Sequence, residues 1–268
     1  MFQFSEEQIE RYSRNMVLKE VGIKGQEKMM KSKVLVIGAG GLGSPVIMYL
    51  AAAGVGHLGI VDGDKVELSN LQRQTIHTTD RINYPKAKSA QMFINQLNPN
   101  VNVKIYDKFL DSTNSKEIIA EYDLVIDGVD NFHSRYLVND TCYFLGKPLI
   151  EAGIIGFIGM VTLILPKEGP CYRCLYPEFP ANAVPTCKEA GVLGATAGII
   201  GSIQANEALK YILGIGENLS GRVLFWDGLS SSINEIKLIR NKECALCGNN
   251  PVIKEIKAEN YQQHFNCK

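Results

Sequence analysis

The stretch that decides the fold is "VIGAGGLGSPVIMYLAAAGVGHLGIVDGDKVELSNLQRQ", residues 36 to 74. Gly38, Gly40 and Gly43 form the pattern G-x-G-x-x-G directly after an apolar run, and a helical pattern follows. Gly41 removes one more side chain from the turn. Such a turn directs backbone N–H groups and a helix N-terminus at phosphate oxygens. The stretch therefore predicts a nucleotide-binding turn, although a tight turn without a nucleotide has the same pattern.

Charged residues after this turn bear on which nucleotide it binds. Asp62 ends the next apolar run, where dinucleotide-binding folds place the acidic residue that takes ribose hydroxyls, so the turn and Asp62 alone favour NAD. Arg73 and Lys86 then add positive charge beside the turn. Each alone is typical of a solvated surface, but an enzyme that cleaves ATP has to neutralise a triphosphate and a departing pyrophosphate. The combination therefore favours ATP.

Two polar residues, Asp130 and Asn131, follow the apolar run DLVIDGVD at residues 123–130. Doubly wound sheets bind their ligands at the carboxyl ends of such strands. A carboxylate there is suited to hold Mg²⁺, which bridges phosphate oxygens. Aspartate is also a good helix N-cap, so Asp130 has two compatible interpretations, a magnesium ligand and a cap.

Apolar runs of strand length alternate with helical patterns through the first half of the chain. Strands are predicted at 34–38, 58–62, 101–106 and 124–127, and helices at 44–53, 86–97, 115–121 and 131–145. This alternation is typical of a parallel sheet with helices on both faces. We therefore predict an α/β fold with a Rossmann-like mixed sheet.

Segments outside this alternation complete the predicted fold. Ser5 and Gln8 form a capping box for an N-terminal helix, which is an appendage to the sheet. After residue 148 the pattern changes to an apolar strand stretch, a glycine-rich helix and a turn near 228–231. This change indicates an antiparallel C-terminal extension of the same sheet.

Length and charge limit the number of domains and the kinds of partner. The 268 residues carry 28 basic and 28 acidic side chains, so neither nucleic acid nor a membrane surface is indicated as a partner. No flexible linker separates the two parts of the sheet. We predict a single domain over residues 1–268, with a nucleotide-binding half at about 30–148 and a second half at about 149–268.

Two segments and the cysteine content bear on the cellular compartment. The N-terminus lacks the cationic start and apolar core of a signal peptide, so we expect a cytoplasmic protein. Residues 192–213 are long enough to cross a bilayer, but they include Gln204, Glu207 and Lys210, which favours a buried helix. Seven cysteines in a reducing compartment favour metal ligands or reactive thiols over disulfides.

Four of the cysteines form two C-x-x-C pairs. Cys171 with Cys174 and Cys244 with Cys247 have the spacing of a tetrahedral structural zinc site, which would clip the end of the chain to the sheet. Either pair alone is also compatible with a redox motif, but the presence of two pairs favours zinc.

Cys187 stands apart from these pairs. It follows a proline-containing segment and precedes the glycine-rich helix. The adjacent Lys188 and the start of that helix favour a reactive thiolate. A loop cysteine with no catalytic role is the alternative.

Several stretches together resemble one family. They are RYSRNMVLKEVGIKGQEKM, GAGGLGSP, YLAAAGVG, VDGDKVELSNLQRQ, LNPNV, DGVDNF, CYRC and CALCG. From about residue 5 to about residue 265, the chain is similar to the ThiF family of adenylyltransferases. These enzymes activate ubiquitin-like sulfur carriers for molybdopterin or thiamine biosynthesis and are relatives of the ubiquitin-activating enzymes. The combination of motifs is specific, although the glycine motif alone is not.

The resemblance implies ATP-dependent adenylation of the C-terminal glycine of a carrier that ends in Gly-Gly, with magnesium, release of pyrophosphate, a structural zinc and a homodimer. It makes residues 149–268 the carrier-binding and zinc half. The nucleotide-binding residues carried over by motif are Gly38, Gly40, Gly41, Gly43, Asp62, Ser69, Asn70, Arg73, Gln74, Lys86, Asp130 and Asn131. The implied catalytic set is Arg14, Arg73, Lys86, Asp130 and Cys187. Within it, Arg14 resembles an arginine that the other subunit contributes, and Cys187 resembles a cysteine that links to the carrier.

Two other functions are compatible with the predicted fold. One is an NAD-dependent oxidoreductase, and the other is a non-catalytic scaffold that binds a ubiquitin-like protein. Arg73, Lys86 and Asp130 argue against both, because neither needs a site for a magnesium triphosphate. Carriers of the MoaD type and of the ThiS type both agree with the motifs.

Overall fold

The computed structural model describes residues 3–178 and 191–261. Within these ranges the strands are β1 (Lys33–Ile37), β2 (His57–Val61), β3 (Asn102–Tyr106), β4 (Leu124–Asp127), β5 (Leu149–Ile155), β6 (Ile158–Ile164), β7 (Arg222–Asp227) and β8 (Ser232–Lys237). The helices are α1 (Glu6–Met16), α2 (Gly22–Lys31), α3 (Gly43–Ala53), α4 (Lys86–Leu97), α5 (Ser115–Ala120), α6 (Phe132–Leu145), α7 (Tyr172–Leu175) and α8 (Gly194–Leu213). Short 3-10 turns lie at Leu68–Asn70, Thr79–Arg81 and Ala258–Tyr261.

These strands form one sheet in the order β3-β2-β1-β4-β5-β6-β7-β8. Pairing is parallel from β3 to β5, and Leu35 of β1 lies opposite Gly59 on one side and Val125 on the other. Pairing is antiparallel from β5 to β8, and the predicted turn near 228–231 connects β7 to β8. The predicted mixed sheet is therefore confirmed. Its antiparallel extension consists of β6, β7 and β8, because β5 still pairs in parallel with β4.

Two apolar layers cover the sheet, one on each face. Val34 and Val36 of β1 join the layer that includes residues of α3, α4 and α8. Leu35 and Ile37 point to the other face and join the layer that includes residues of α5 and α6. This alternation follows from the two-residue period of a strand. It confirms the prediction of helices on both faces.

The helix α8 is the buried helix predicted at 192–213. Two of its polar side chains are buried and hydrogen-bonded. Nε2 of Gln204 donates to the carbonyl of Asp127 at 2.8 Å, and Oε2 of Glu207 accepts from the N–H of Leu219 at 2.8 Å. These bonds satisfy groups that would otherwise be costly to bury. Across the two described ranges, no helix combines the length and the apolar character needed to cross a membrane.

The N-terminal helix α1 packs against the sheet domain. Its predicted capping box is confirmed, since the N–H of Gln8 donates to Oγ of Ser5 and the N–H of Ser5 donates to Oε1 of Gln8. Tyr12 is buried, and its hydroxyl accepts from Nδ2 of Asn98 at 2.9 Å. The appendage is thus held by both apolar packing and a buried polar contact.

The strand order reverses at β1, because β2 lies on one side of it and β4 on the other. The carboxyl ends of these parallel strands meet at one edge of the sheet. The crevice outside β1 and β4 is the place where such sheets bind ligands. This topology therefore defines where a functional site is expected.

Candidate nucleotide and metal sites

A cavity of about 640 Å³ opens at this crevice. Its size is within the range of small-molecule sites, roughly 300 to 1,000 Å³. The predicted nucleotide-binding residues that line it are Gly38, Gly40, Gly41, Asp62, Arg73, Gln74, Lys86, Asp130 and Asn131. The structure thus brings together side chains from well-separated parts of the sequence.

Glycine occurs in this turn for two different physical reasons. Gly38 has φ +92°, and a Cβ on Gly43 would lie 1.9 Å from the carbonyl oxygen of Gly38, so the turn itself needs both. A Cβ on Gly40 or Gly41 would meet no protein atom closer than 3.4 Å. Protein packing therefore does not require glycine at these two positions. Their bare backbone leaves room for a ligand against the turn.

Gln74 provides a second sign that the cavity is made for a polar ligand. Its side chain is buried, and its amide nitrogen lies 3.7 Å from the position of a Cβ on Gly40. Its Oε1 has no hydrogen-bond partner among the described residues. A buried polar atom without a partner is costly, which fits a site completed by a bound molecule.

Asp62 is held against the turn by backbone groups. Its Oδ2 accepts from the N–H of Ala39 and its Oδ1 from the N–H of Asp64, both at 2.8 Å. Burial raises the pKa of Asp62, and the charge of Lys86 opposes that shift. The carboxylate therefore has a fixed orientation at the end of β2, and its role in binding ribose hydroxyls stays a prediction.

Lys86 and Arg73 bring two positive charges to the cavity. Helix α4 begins at Lys86, whose Nζ donates to Oδ2 of Asp64 at 2.9 Å. The Lys86 side chain is only 9% exposed, which excludes a solvated surface charge. Arg73 packs its aliphatic stem beside Gly41, and its guanidinium donates to the carbonyl of Ser69 at 3.1 Å. Both cations are thereby held near the open part of the turn.

Asp130 lies at the cavity wall with an exposed side chain. The N-cap of α6 is Asn131, whose Oδ1 accepts from the N–H of Ser134 at 2.9 Å. Asn131, and not Asp130, is therefore the N-cap of α6. Asp130 lines the cavity shortly after β4, and its role as a magnesium ligand stays a prediction.

A buried network fixes the backbone just before Asp130. The N–H of Val129 donates to Oδ1 of Asp127 at 2.9 Å, and the carbonyl of Val129 accepts from Nη2 of Arg135 at 2.7 Å. Arg135 also donates to Oε1 of Glu151, which is fully buried. Desolvation raises the pKa of Asp127 and of Glu151. This network was not predictable from the sequence, because the spacing of its members matches no motif.

Ser69 and Asn70 do not line the cavity. Ser69 is exposed, and its Oγ donates to Oε2 of Glu67 at 3.3 Å. Asn70 is buried, and its Oδ1 accepts from the N–H of Glu67 at 3.1 Å. The two residues shape the 3-10 turn that leads to Arg73, whose guanidinium contacts the Ser69 carbonyl.

Two further residues of the predicted catalytic set are Arg14 and Cys187. Arg14 is exposed on α1 and does not line the cavity. Cys187 lies outside the described residues.

The cavity continues from the glycine turn into an apolar wing along β5, β6 and β7. The wing is lined by Ile154, Ile155, Ile158, Met160, Tyr172, Tyr176 and Phe225. These residues were not predicted, because an apolar side chain in a strand carries no signal that separates a binding wall from the core. The same cavity is therefore lined by the glycine turn and by residues of β5, β6 and β7.

The four paired cysteines meet at one point, as their spacing predicts. Their sulfur atoms all lie within 4.8 Å of one another. The Sγ–Sγ distances are 3.9 Å from Cys171 to Cys174, 3.6 Å from Cys171 to Cys244 and 3.3 Å from Cys174 to Cys247. A tetrahedron with Zn–S bonds of about 2.3 Å has edges of about 3.8 Å, so the thiols fit a zinc ion. They are far too distant for disulfide bonds.

Comparisons with known proteins identify the family of the chain. The ThiF family model matches residues 12–247. The sulfur carrier protein adenylyltransferase of Thermus thermophilus is 47% identical over 259 residues, covering 94% of this chain and 96% of that protein. The SAMP-activating enzyme E1 of Haloferax volcanii is 48% identical over 242 residues, covering 90% and 89% of the two chains. The crystal structure of E. coli MccB with ATP has the same fold, with a TM-score of 0.78, 24% identity, and 89% of this chain and 73% of that chain covered. From the family match and these identities, the chain belongs to the ThiF family.

Proposed function

We propose that this protein is an ATP-dependent adenylyltransferase that activates the C-terminal glycine of a ubiquitin-like sulfur carrier. The observation that carries the proposal is the shared cavity of Arg73, Lys86 and Asp130 beside the open Gly40 and Gly41. The name of the Thermus thermophilus relative supports both the reaction and the kind of partner. The carrier would be of the MoaD or ThiS type, which serve molybdopterin and thiamine biosynthesis.

The nucleotide half holds ATP through its backbone and three charged side chains. Helix α3 begins without a side-chain cap. The N–H of Ser44 donates to the carbonyl of Gly40, and Pro45 has no N–H, so the N–H groups of the glycine turn before them are the ones suited to bind phosphate oxygens. Asp62 takes the ribose hydroxyls, while Arg73 and Lys86 neutralise the phosphates. Asp130 would hold Mg²⁺, which neutralises charge on the departing pyrophosphate.

The reaction needs no catalytic base. The carrier's terminal carboxylate oxygen bonds to the α-phosphorus of ATP, and the bond from that phosphorus to the bridging oxygen of pyrophosphate breaks. Pyrophosphate leaves with the electron pair of that bond, and no proton is transferred. The contribution of the protein is therefore the alignment of the two reactants and the stabilisation of negative charge.

The apolar wing is the proposed site for the carrier's C-terminal tail. It opens onto the same cavity as Asp130, so a tail lying along β5 and β6 would end beside the α-phosphate. Gly153 lines this part of the wall and adds no side chain to it. A tail that ends in Gly-Gly can pass through a narrow opening, because its last two residues have no side chains.

We propose that two copies of the chain form the active enzyme. Arg14 is exposed on α1, and the following residue, Asn15, lines a surface depression of about 380 Å³ together with Tyr49 and Leu209. Val17, beyond the end of α1, is 72% exposed. A second copy covering this face would bury these side chains and bring Arg14 to the cavity of its partner.

The cysteines have separate roles in this proposal. The four gathered thiols hold a structural zinc, while Cys187 acts after adenylation, in a covalent link to the carrier, or has no catalytic role. The five described cysteines carry no disulfide. Cysteines that stay reduced in this way suit the reducing cytoplasm, where we place the protein.

Exchange of labelled pyrophosphate into ATP tests the adenylation step. We expect exchange only when magnesium and a cognate carrier ending in Gly-Gly are both present. Asp130→Ala should abolish it without changing the melting temperature, whereas Asp107→Ala, an exposed aspartate outside the cavity, should not. Reduction of NAD without any ATP chemistry would support the oxidoreductase instead, and carrier binding without exchange would support the scaffold.

A further inference from the structure

Ala39 lies between Gly38 and Gly40 in the glycine turn, and side chains contact both its N–H and its carbonyl group. It is fully buried. Its N–H donates to Oδ2 of Asp62 at 2.8 Å. Its carbonyl oxygen lies 2.9 Å from Nε2 of His77, a residue that belongs to no motif in the sequence. The turn is therefore clamped by two side chains from different segments.

The partners of His77 fix its protonation state. A carbonyl oxygen only accepts hydrogen bonds, so Nε2 carries the proton, and Nδ1 accepts from Oγ of Ser89 at 2.8 Å. Burial lowers the pKa of His77 to about 4, and the nearby charges of Lys86 and Arg81 add to the shift. The ring is therefore neutral near pH 7, in one tautomer.

Ser89 connects this ring to the phosphate-binding lysine. It lies on α4 one helical turn after Lys86, and it is fully buried. Its N–H donates to the carbonyl of Pro85 at 2.9 Å, which ties it to the start of that helix. One imidazole thus bridges the glycine turn and the helix that begins at Lys86.

The direction of one peptide group follows from this contact. In a trans peptide, the C=O and the next N–H point in opposite directions. Since the Ala39 carbonyl points at the buried His77, the N–H of Gly40 points away from it, and Gly40 lines the cavity. Glycine tolerates both orientations of this peptide, so an external hydrogen bond is needed to select one.

The geometry points to His77 as a positioning residue of the nucleotide turn, which holds the Ala39–Gly40 peptide so that the Gly40 N–H faces the phosphates of ATP. This inference rests on the proposed ATP site. It adds a residue to the description of that site: one side chain, which does not itself touch the nucleotide, orients a phosphate-binding N–H.

Two substitutions separate the two ring contacts. Glutamine at position 77 reaches as far as Nε2 and can donate to Ala39, whereas asparagine reaches only as far as Nδ1 and keeps the contact to Ser89. We expect His77→Asn to raise the dissociation constant of ATP with magnesium, measured by calorimetry without carrier, roughly five- to tenfold, the effect of one uncharged hydrogen bond. His77→Gln should stay within about twofold of the wild type for the same reason.

A matched control separates positioning from stability. Ser115→Ala removes another buried hydrogen bond, which Thr141 Oγ1 donates to Ser115 Oγ at 3.2 Å, away from the cavity. It should lower the melting temperature and leave ATP affinity unchanged. Equal ATP affinities of the folded Asn and Gln variants would overturn the role of His77. A wild-type protein that does not bind ATP would overturn the proposed function, and this inference with it.

Discussion

The Sγ atoms of Cys171 and Cys244 lie 3.6 Å apart, although 73 positions separate the two residues in the sequence. A metal that holds thiolates across so long a loop restricts the unfolded chain and fills a site that exists only in the folded one. We therefore expect freshly purified, reduced protein to contain one zinc ion per chain by metal analysis. Removal of the ion by a chelator should lower the melting temperature.

Two cysteine variants test which thiols bind the zinc. Cys174→Ser should lose the zinc and part of the stability, because three thiolates no longer complete the tetrahedron. Cys142 is buried in α6 outside the cluster, so Cys142→Ala is the control that should keep its zinc. Reduced protein that contains no zinc would refute the site.

Arg14 should act on the cavity of a second copy. Arg14→Ala and Lys86→Ala should each abolish pyrophosphate exchange. A mixture of the two proteins should regain part of the activity, because one of the hybrid sites contains both wild-type residues. The measurement is exchange after the subunits have been allowed to mix. Lack of recovery, despite subunit exchange demonstrated by native mass spectrometry, would count against the contribution from a partner.

Arg135 should be important for the stability of the fold. Arg135→Leu leaves Asp127 and Glu151 buried without their cation, which we expect to cost about 3 kcal/mol in the free energy of unfolding by urea. Lys104→Met is the control, since Lys104 pairs with Glu121 on the exposed surface and its loss should change little. An effect of Arg135→Leu as small as that of the control would show that the network does not hold the fold.

The pH dependence of stability should contain a contribution from His77. Its pKa is lowered to about 4 in the folded protein, so below pH 6.5 the unfolded chain takes up the proton first and stability falls as the pH falls. Between pH 7.5 and pH 5 this amounts to about 2 kcal/mol. His77→Gln lacks the titrating group, so the difference between its unfolding free energy and that of the wild type should change by this amount. A constant difference would contradict the buried, neutral histidine.

The parts of the structure that were predictable are those in which local pattern and packing require the same residues. The turn at Gly38 was predictable because its backbone conformation and its close approach to Gly43 both demand glycine. The cluster of four thiols was predictable because two short C-x-x-C spacings repeat. The contact of Arg135 with Glu151 was not, because it joins α6 to β5 and depends on how helix and sheet pack.

The contacts of His77 were not predictable from the sequence either. His77 has no motif around it, and its partners Ala39 and Ser89 lie 38 and 12 positions away. Only the folded chain brings the glycine turn and α4 to the two sides of one ring. The same holds for the apolar wing, whose residues have the ordinary alternation of strands.

Mass spectrometry of the carrier tests the central claim most directly. The protein is incubated with ATP, magnesium and a carrier ending in Gly-Gly, and the carrier is examined before any sulfur donor is added. We predict that the carrier gains the mass of one adenylyl group at its C-terminal glycine, and that a carrier without this glycine gains none. An unmodified carrier, in the presence of folded enzyme and intact ATP, would contradict the assignment of this cavity to adenylation.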